Sequence, residues 1–218
     1  MADRWRTING NRVLIKGGGG KGGPVALACV VALGAAGAGG AGVVGAGGGA
    51  AGGGGSVSAR KVEARKAAKG GDAEGAWRRL GMRESKKSAR QQAECLAVTF
   101  GEVREFFLEH RCASVDRVLF AVGDGENAAI VSVAWVGLAD RGDAVEFRSL
   151  VDRHGSGDVA PLGGPLLGYA DIAFGGLNYG SERDGARVTV AEAETVVGHV
   201  DPEVLDAVAE VAALLPPL

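Results

Sequence analysis

The sequence predicts an α+β domain with the order α-ββ-α-ββ-α. An antiparallel four-strand sheet would carry its helices on one face, behind a single transmembrane helix and a glycine-rich tether. Three observations lead there. Apolar residues recur at helical spacing in the C-terminal part. Two pairs of β-rich runs in the same part are each joined by a short Gly/Asp turn. Near the N-terminus, a charge-free run of 38 residues, 22–59, separates two basic segments.

From the N-terminus, residues 1–23 read as a basic tail, with five Arg or Lys against Asp3 over 1–21. Pro24 to Ala46 is uncharged, and its 23 residues exceed the ~20 that a helix needs to cross a bilayer core. A signal peptide is the near rival, since a basic n-region, an apolar core and small-x-small sites such as Ala36-Gly-Ala38 are all present. The same stretch holds Gly37-Ala-Gly39-Gly-Ala-Gly42, a match to the dinucleotide fingerprint G-x-G-x-x-G. That chemistry needs a helix whose N-terminus faces the pyrophosphate, but "VVGAGGGAAGGGGS" follows, and each interior glycine there costs a helix about 1 kcal/mol. The span is therefore preferred, and the positive-inside rule leans toward a cytoplasmic N-terminus and an exported C-terminal domain.

Residues 47–84 read as a flexible tether followed by a basic stalk. Residues 85–218 read as the folded domain. In "AECLAVTFGEVREFFLEH", Leu96, Phe100, Val103 and Phe107 share a helical face, and Thr99-x-x-Glu102 is a capping-box pattern that offers Thr99 as the alternative helix start. "RVLFAV" and "AAIVSVAWVGL" flank Gly123–Asn127 as a hairpin. Asp140 caps a helix through "DAVEFRSLVDRH", which Gly155 closes. After a loop, "IAFGGLNYGS" and "ARVTVAEAETVV" flank Arg183-Asp-Gly185 as a second hairpin. Asp201 caps and Pro202 opens a last helix with Val204, Val208, Val211 and Leu215 on one face.

Residues 95–218 carry eight basic against twenty acidic side chains, a net of −12, which argues against nucleic acid as a partner of this domain. Cys95 and Cys112 are the thiols outside the span, and in an exported domain they invite a disulfide. An unbroken helix would hold their α-carbons about 25 Å apart, so the bridge requires a break, for which Gly101 and Thr99 are candidates. Glu192 and Glu194 share one strand face, with α-carbons about 6.6–7 Å apart, spacing that a carboxylate pair for glycoside chemistry could use. His154-Gly-Ser156-Gly-Asp158 gathers a base, a hydroxyl and a carboxylate, but G-x-S-x-G is absent and a helix end with a polar loop explains it more simply. No cofactor or metal is expected, because His110 and His199 lack partners at ligand spacing.

The segments "SVDRVLFAVGD", "VSVAWV", "HGSGD" and "RDGARVTVAEAE" together resemble a group of uncharacterised actinobacterial proteins with an N-terminal membrane segment. The resemblance covers about 90–218 and implies a compartment, not an activity. The expectation is a single-pass anchored protein whose extracytoplasmic domain works through protein–protein contacts. An exported hydrolase using Glu192/Glu194 or His154, and a cytosol-facing tethered adaptor, are the alternatives. The full chain should accordingly fractionate with membranes and resist alkaline carbonate, and in intact protoplasts its C-terminal domain should be open to added protease. Recovery in the soluble fraction would remove the anchor, and a domain protected until lysis would reverse its orientation.

Overall fold

The structure is a computed structural model that describes residues 4–8, 11–15, 56–87, 91–169 and 172–217. The predicted span 24–46 and the glycine-rich run up to residue 55 lie outside the described residues, among which no helix is long and apolar enough to cross a membrane. Within the segment expected to be a basic tail, β1 (Arg4–Ile8) and β2 (Asn11–Ile15) form an antiparallel hairpin. The intervening sequence is Asn9-Gly10, the pair most favoured in two-residue hairpin turns.

The second unit begins with α1 (Val57–Lys69) and α2 (Ala73–Arg79), capped by the Ser56 and Asp72 side chains. Strands β3 (Arg83–Lys87) and β4 (Gln91–Ala93) follow, then a 3₁₀ turn at Cys95–Ala97 and α3 (Gly101–Glu109). The rest is β5 (Cys112–Gly123), β6 (Ala128–Leu138), α4 (Arg141–Val151), β7 (Tyr179–Asp184), β8 (Arg187–Val197) and α5 (Pro202–Ala212). The sheet is antiparallel with the order β3-β5-β6-β8-β7, and β4 continues along the same edge of β5 as β3. The four expected strands are its body, and β3 with β4 adds one broken edge that the charge-rich sequence "RESKK" did not announce.

The helices do not lie on one face, as the sequence had suggested; they cover both. On one face α1, α2 and α5 bury Val118, Phe120, Val122, Val131, Val133, Trp135, Ala191 and Ala193. On the other, α3 and α4 cover Val115, Ala134, Val136, Val188 and Val190, with Phe106, Phe107 and Phe147 packed ring to ring. The cause is legible in hindsight: "RVLFAV" and "AAIVSVAWVGL" are near-continuous apolar runs rather than alternating ones, so both faces of these strands must leave water. A third patch, Leu119, Ala121 and Ile130, is covered by Leu162 and Leu167 from the long loop after α4. Arg117 and Lys86 tether that loop by donating to the carbonyls of Ala160 and Leu167.

The domain boundary is also corrected. The expected stalk is part of the core: Ala64, Ala68, Ala76, Trp77, Leu80 and Met82 are buried, and Trp77 meets Phe120 edge-on with ring centroids 5.7 Å apart. The segment contacts the core chiefly through alanines, which its basic solvent face outweighs in the sequence. The helix expected to run from Leu96 is a 3₁₀ turn and a separate α3, and no Thr99 cap forms; Thr99 Oγ1 donates instead to the carbonyl of Cys95 at 2.7 Å. Val103 and Phe107 are buried as expected, whereas Leu96 and Phe100 face solvent. The last helix follows its sequence signals: Asp201 Oδ1 accepts from the Glu203 amide, Val208, Val211 and Leu215 are buried, and the Trp135 indole donates to the Leu215 carbonyl.

A fragment starting at Ser56 should melt cooperatively at the temperature of the full chain, whereas one starting at Ser85 should not, having lost α1, α2 and the Trp77 contact. Trp77→Ala in the full chain should cost about 3–5 kcal/mol by chemical denaturation. Equal melting of the two fragments would show that α1 and α2 are dispensable.

Candidate functional site

The site is built where two chain segments cross beside α4. Phe100 and Glu102 donate their amides to the Asp158 and Ser156 carbonyls at 3.1 and 2.7 Å, Ala160 donates to the Val98 carbonyl, and Thr99 bridges Val159. The crossing is so close that a Cβ on Gly101 would lie 2.7 Å from the Ser156 carbonyl, and Gly101 itself has φ +63°. These contacts hold the loop Asp152–Asp158 over the face of the sheet that carries Glu192 and Glu194. A cleft of about 370 Å³ opens there, with Phe100, Phe174 and Tyr179 as walls and Asp152, Arg153, His154, Asp158 and Glu192 as its charged or titratable side chains.

The two glutamates hold the loop that enters β7. The Gly175 amide donates to Glu194 Oε1 at 3.2 Å, and the Gly176 amide donates to Glu192. Glu192 Oε1 and His154 Nδ1 each lie 3.5 Å from the position a Cβ on Gly176 would take, which brings them within 7 Å of one another. The structure thus gathers His154, Glu192 and Glu194 at one loop. Ser156 is excluded as a nucleophile: it is buried, and its hydroxyl donates to the Leu150 carbonyl at 2.8 Å, closing the end of α4. His154 is exposed at the rim.

Glu192 is only 9% exposed. Burial, reinforced by the charges of Asp158 and Glu194 and opposed by the Gly176 amide, pushes its carboxyl up to about 7. Burial likewise raises Asp158 to about 6 against the pull of the Val159 amide. Tyr179 is raised by burial and by Asp152 and Asp158, and its hydroxyl donates to Asp152 at 3.2 Å. No cation contributes to holding either Glu192 or Asp158 ionised among the described residues. Arg153, at the cleft margin, is instead paired with Glu102 at 2.7 Å, and Arg148 with Asp152 and Glu182. An unpaired acid at this depth favours its neutral form or an incoming cation.

Asp158 was weighed from the sequence only beside His154 and Ser156, and Tyr179, Phe100 and Phe174 were not singled out as site residues. The chain crossing that assembles them joins segments some 58 residues apart (Phe100 to Asp158), and no local spacing announces it.

Cys95 and Cys112 are joined with a Cα–Cα separation of 6.3 Å, across the helix break that precedes Gly101. A larger cleft of about 750 Å³ beside this bridge is lined by Leu96, Leu108 and His110. Its histidine is stacked on Phe106 with Nδ1 against the Phe106 carbonyl, so its ring is committed to the fold. Among the described residues no group of three or more His, Cys, Asp or Glu side chains could hold a metal ion.

Because the folded-state values of Glu192 and Asp158 are raised, the native state holds protons that the unfolded chain has already released. Stability should therefore be full below about pH 4 and decline as pH rises to about 7, by on the order of 3 kcal/mol from Glu192. Glu192→Gln should remove most of that decline and raise the melting temperature at pH 8 by several degrees. A melting temperature flat across this window, or unmoved by the substitution, would contradict the burial of an unpaired acid.

No family model, curated protein or solved structure matches the chain, so the site stands on its own geometry.

Proposed function

We propose that the chain is a single-pass, membrane-anchored protein whose α+β domain, displayed outside the cytoplasm, engages a partner protein through the cleft at Glu192, taking up a lysine or arginine side chain of that partner. The observation that carries this reading is the pair of carboxyls, Glu192 and Asp158, set in an open cleft whose one lining arginine, Arg153, is paired with Glu102 instead. A partner's cation would supply the missing charge, and its aliphatic stem would lie along Phe100, Phe174 and Tyr179, with the added attraction of a cation for an aromatic face. Phe100, 51% exposed, is a large apolar group left at the rim of an otherwise polar loop crossing. The cleft is the size of one side chain rather than of a folded surface, which suits an anchor residue with looser contacts around it.

The exported compartment is supported by the Cys95–Cys112 pairing, since such bonds persist in oxidising surroundings. The anchor rests on the uncharged run Pro24 to Ala46.

A second reading, hydrolysis, is favoured by one observation: Glu192, pushed up to about 7, beside Asp158, at about 6, is the pattern of a proton donor and its basic partner. The two readings separate experimentally. A short lysine-containing peptide should bind with an affinity that rises from pH 5 to 8 as Glu192 ionises, and Glu192→Gln should weaken it by roughly tenfold while stabilising the fold. Phe100→Ala should weaken it several-fold. Peptide affinity independent of pH and of Glu192 would overturn the recognition reading, and turnover of a glycoside abolished by Glu192→Gln would establish the hydrolytic one.

A further inference from the structure

The exposed face of α1 has the composition of a surface that rests on something negatively charged. Ala64 and Ala68 point into the core; Val62, Arg65, Lys66 and Lys69 lie away from it, and half-buried Lys61, at the boundary with α5, adjoins them on the same surface. Val62 is 55% exposed in the middle of these four bases. Two carboxylates temper the face: Glu210 of α5 lies 2.8 Å from Lys61 and 3.7 Å from Arg65, and Glu63 lies 2.8 Å from Lys66. Lys69 has no such partner among the described residues, so the face keeps a net positive charge of two. Arg60 takes no part, being half-buried and donating to the Leu80 carbonyl.

The charge is arranged on the scale of the whole unit. The stretch 56–87, which forms α1, α2 and β3, carries ten basic and four acidic side chains, whereas 95–218 carries a net charge of −12. In front of an anionic layer such a molecule is held by one side and repelled by the other, so it takes one orientation.

We infer that the Lys61/Val62/Arg65/Lys66/Lys69 face of α1 docks on the anionic headgroups of the membrane that holds the anchor. The inference rests on the anchor proposed above. Only ten residues, 47–56, separate Ala46 from the first residue of α1, and they span at most about 36 Å, so the start of α1 stays within that distance of the bilayer and its basic surface is within reach of it. The bases supply attraction to phosphate, and Val62 reaches toward the interface as the apolar member of the patch. A domain docked in this way is no longer free to rotate on its tether, and its cleft is presented at a fixed height and angle to a partner.

The test uses the full chain reconstituted in vesicles of phosphatidylcholine alone or with about one-third phosphatidylglycerol, read by a membrane-impermeant amine-acylating reagent and peptide mapping. Acylation of Lys61, Lys66 and Lys69 should be slowed roughly fivefold in the anionic vesicles only, and high salt should restore it. The pair Lys66→Glu and Lys69→Glu, both at exposed positions, should abolish the protection of Lys61 while leaving the melting temperature unchanged. Equal acylation in the two vesicles, with the protein still resistant to carbonate, overturns the inference and leaves the anchor standing. Release by carbonate refutes the anchor itself, and with it the tethered geometry on which the inference depends. Protection by duplex DNA in neutral vesicles as strong as that by anionic lipid would assign the face to nucleic acid and overturn the inference likewise.

Discussion

Everything in the domain follows from three strands, β5, β6 and β8, whose middle sections are buried on both sides. A sheet with one wet face needs helices on one side only. Here Val118, Phe120 and Val122 point one way and Leu119 and Ala121 the other, and all are removed from water. The chain must therefore provide two covers. The first is helical and continuous, made by α1, α2 and α5. The second is assembled from α3, α4 and a loop that brings Leu162 and Leu167 onto the sheet, held by side chains reaching from the sheet to its carbonyls.

The candidate site lies where the second cover thins. Between α4 and the Leu162/Leu167 patch, the sheet is closed over by glycine-rich turns and the crossing of Phe100–Glu102 with Ser156–Asp158. Beneath this thin cover the strand presents Glu192 rather than another valine. A carboxyl on a strand buried on both sides has lost most of its water without gaining a counter-charge, and this gives the cleft its chemistry. The same turns donate to the glutamates only through the amides of Gly175 and Gly176, so the loop is fastened without the carboxyls being neutralised.

Much of this frame was legible in the residues. Asp140 and Asp201 cap the helices they announce, Asp124 accepts amides within the first hairpin turn, and Gly185 takes the left-handed conformation in the second. What escaped was carried by residues without a strong local signature. The alanines of α1 and α2 form a packing surface only once Phe120 and Val122 stand opposite them. The β3 edge is made of charged residues whose pairing is dictated by β5. Glu192 and Glu194 were visible as a pair on one face, but their depth depended on a loop whose course no periodicity specifies. The continuity of the apolar runs in β5 and β6 was present in the sequence and carried the information that two covers were needed.

The charge distribution along the chain is consistent with the same division of labour. The basic excess belongs to α1, α2 and β3, and the acidic excess to residues 95–218, which form the cleft. If Glu192 is a buried acid that a partner's cation pairs, as proposed, its own titration must show it. Carbon-13 NMR of the side-chain carboxyls, with Glu192 assigned through Glu192→Gln, should give a midpoint of about 7 in the free protein and a marked fall when a lysine-bearing ligand occupies the cleft. A midpoint near the ordinary glutamate value of 4.5, unmoved by such a ligand, would contradict the account.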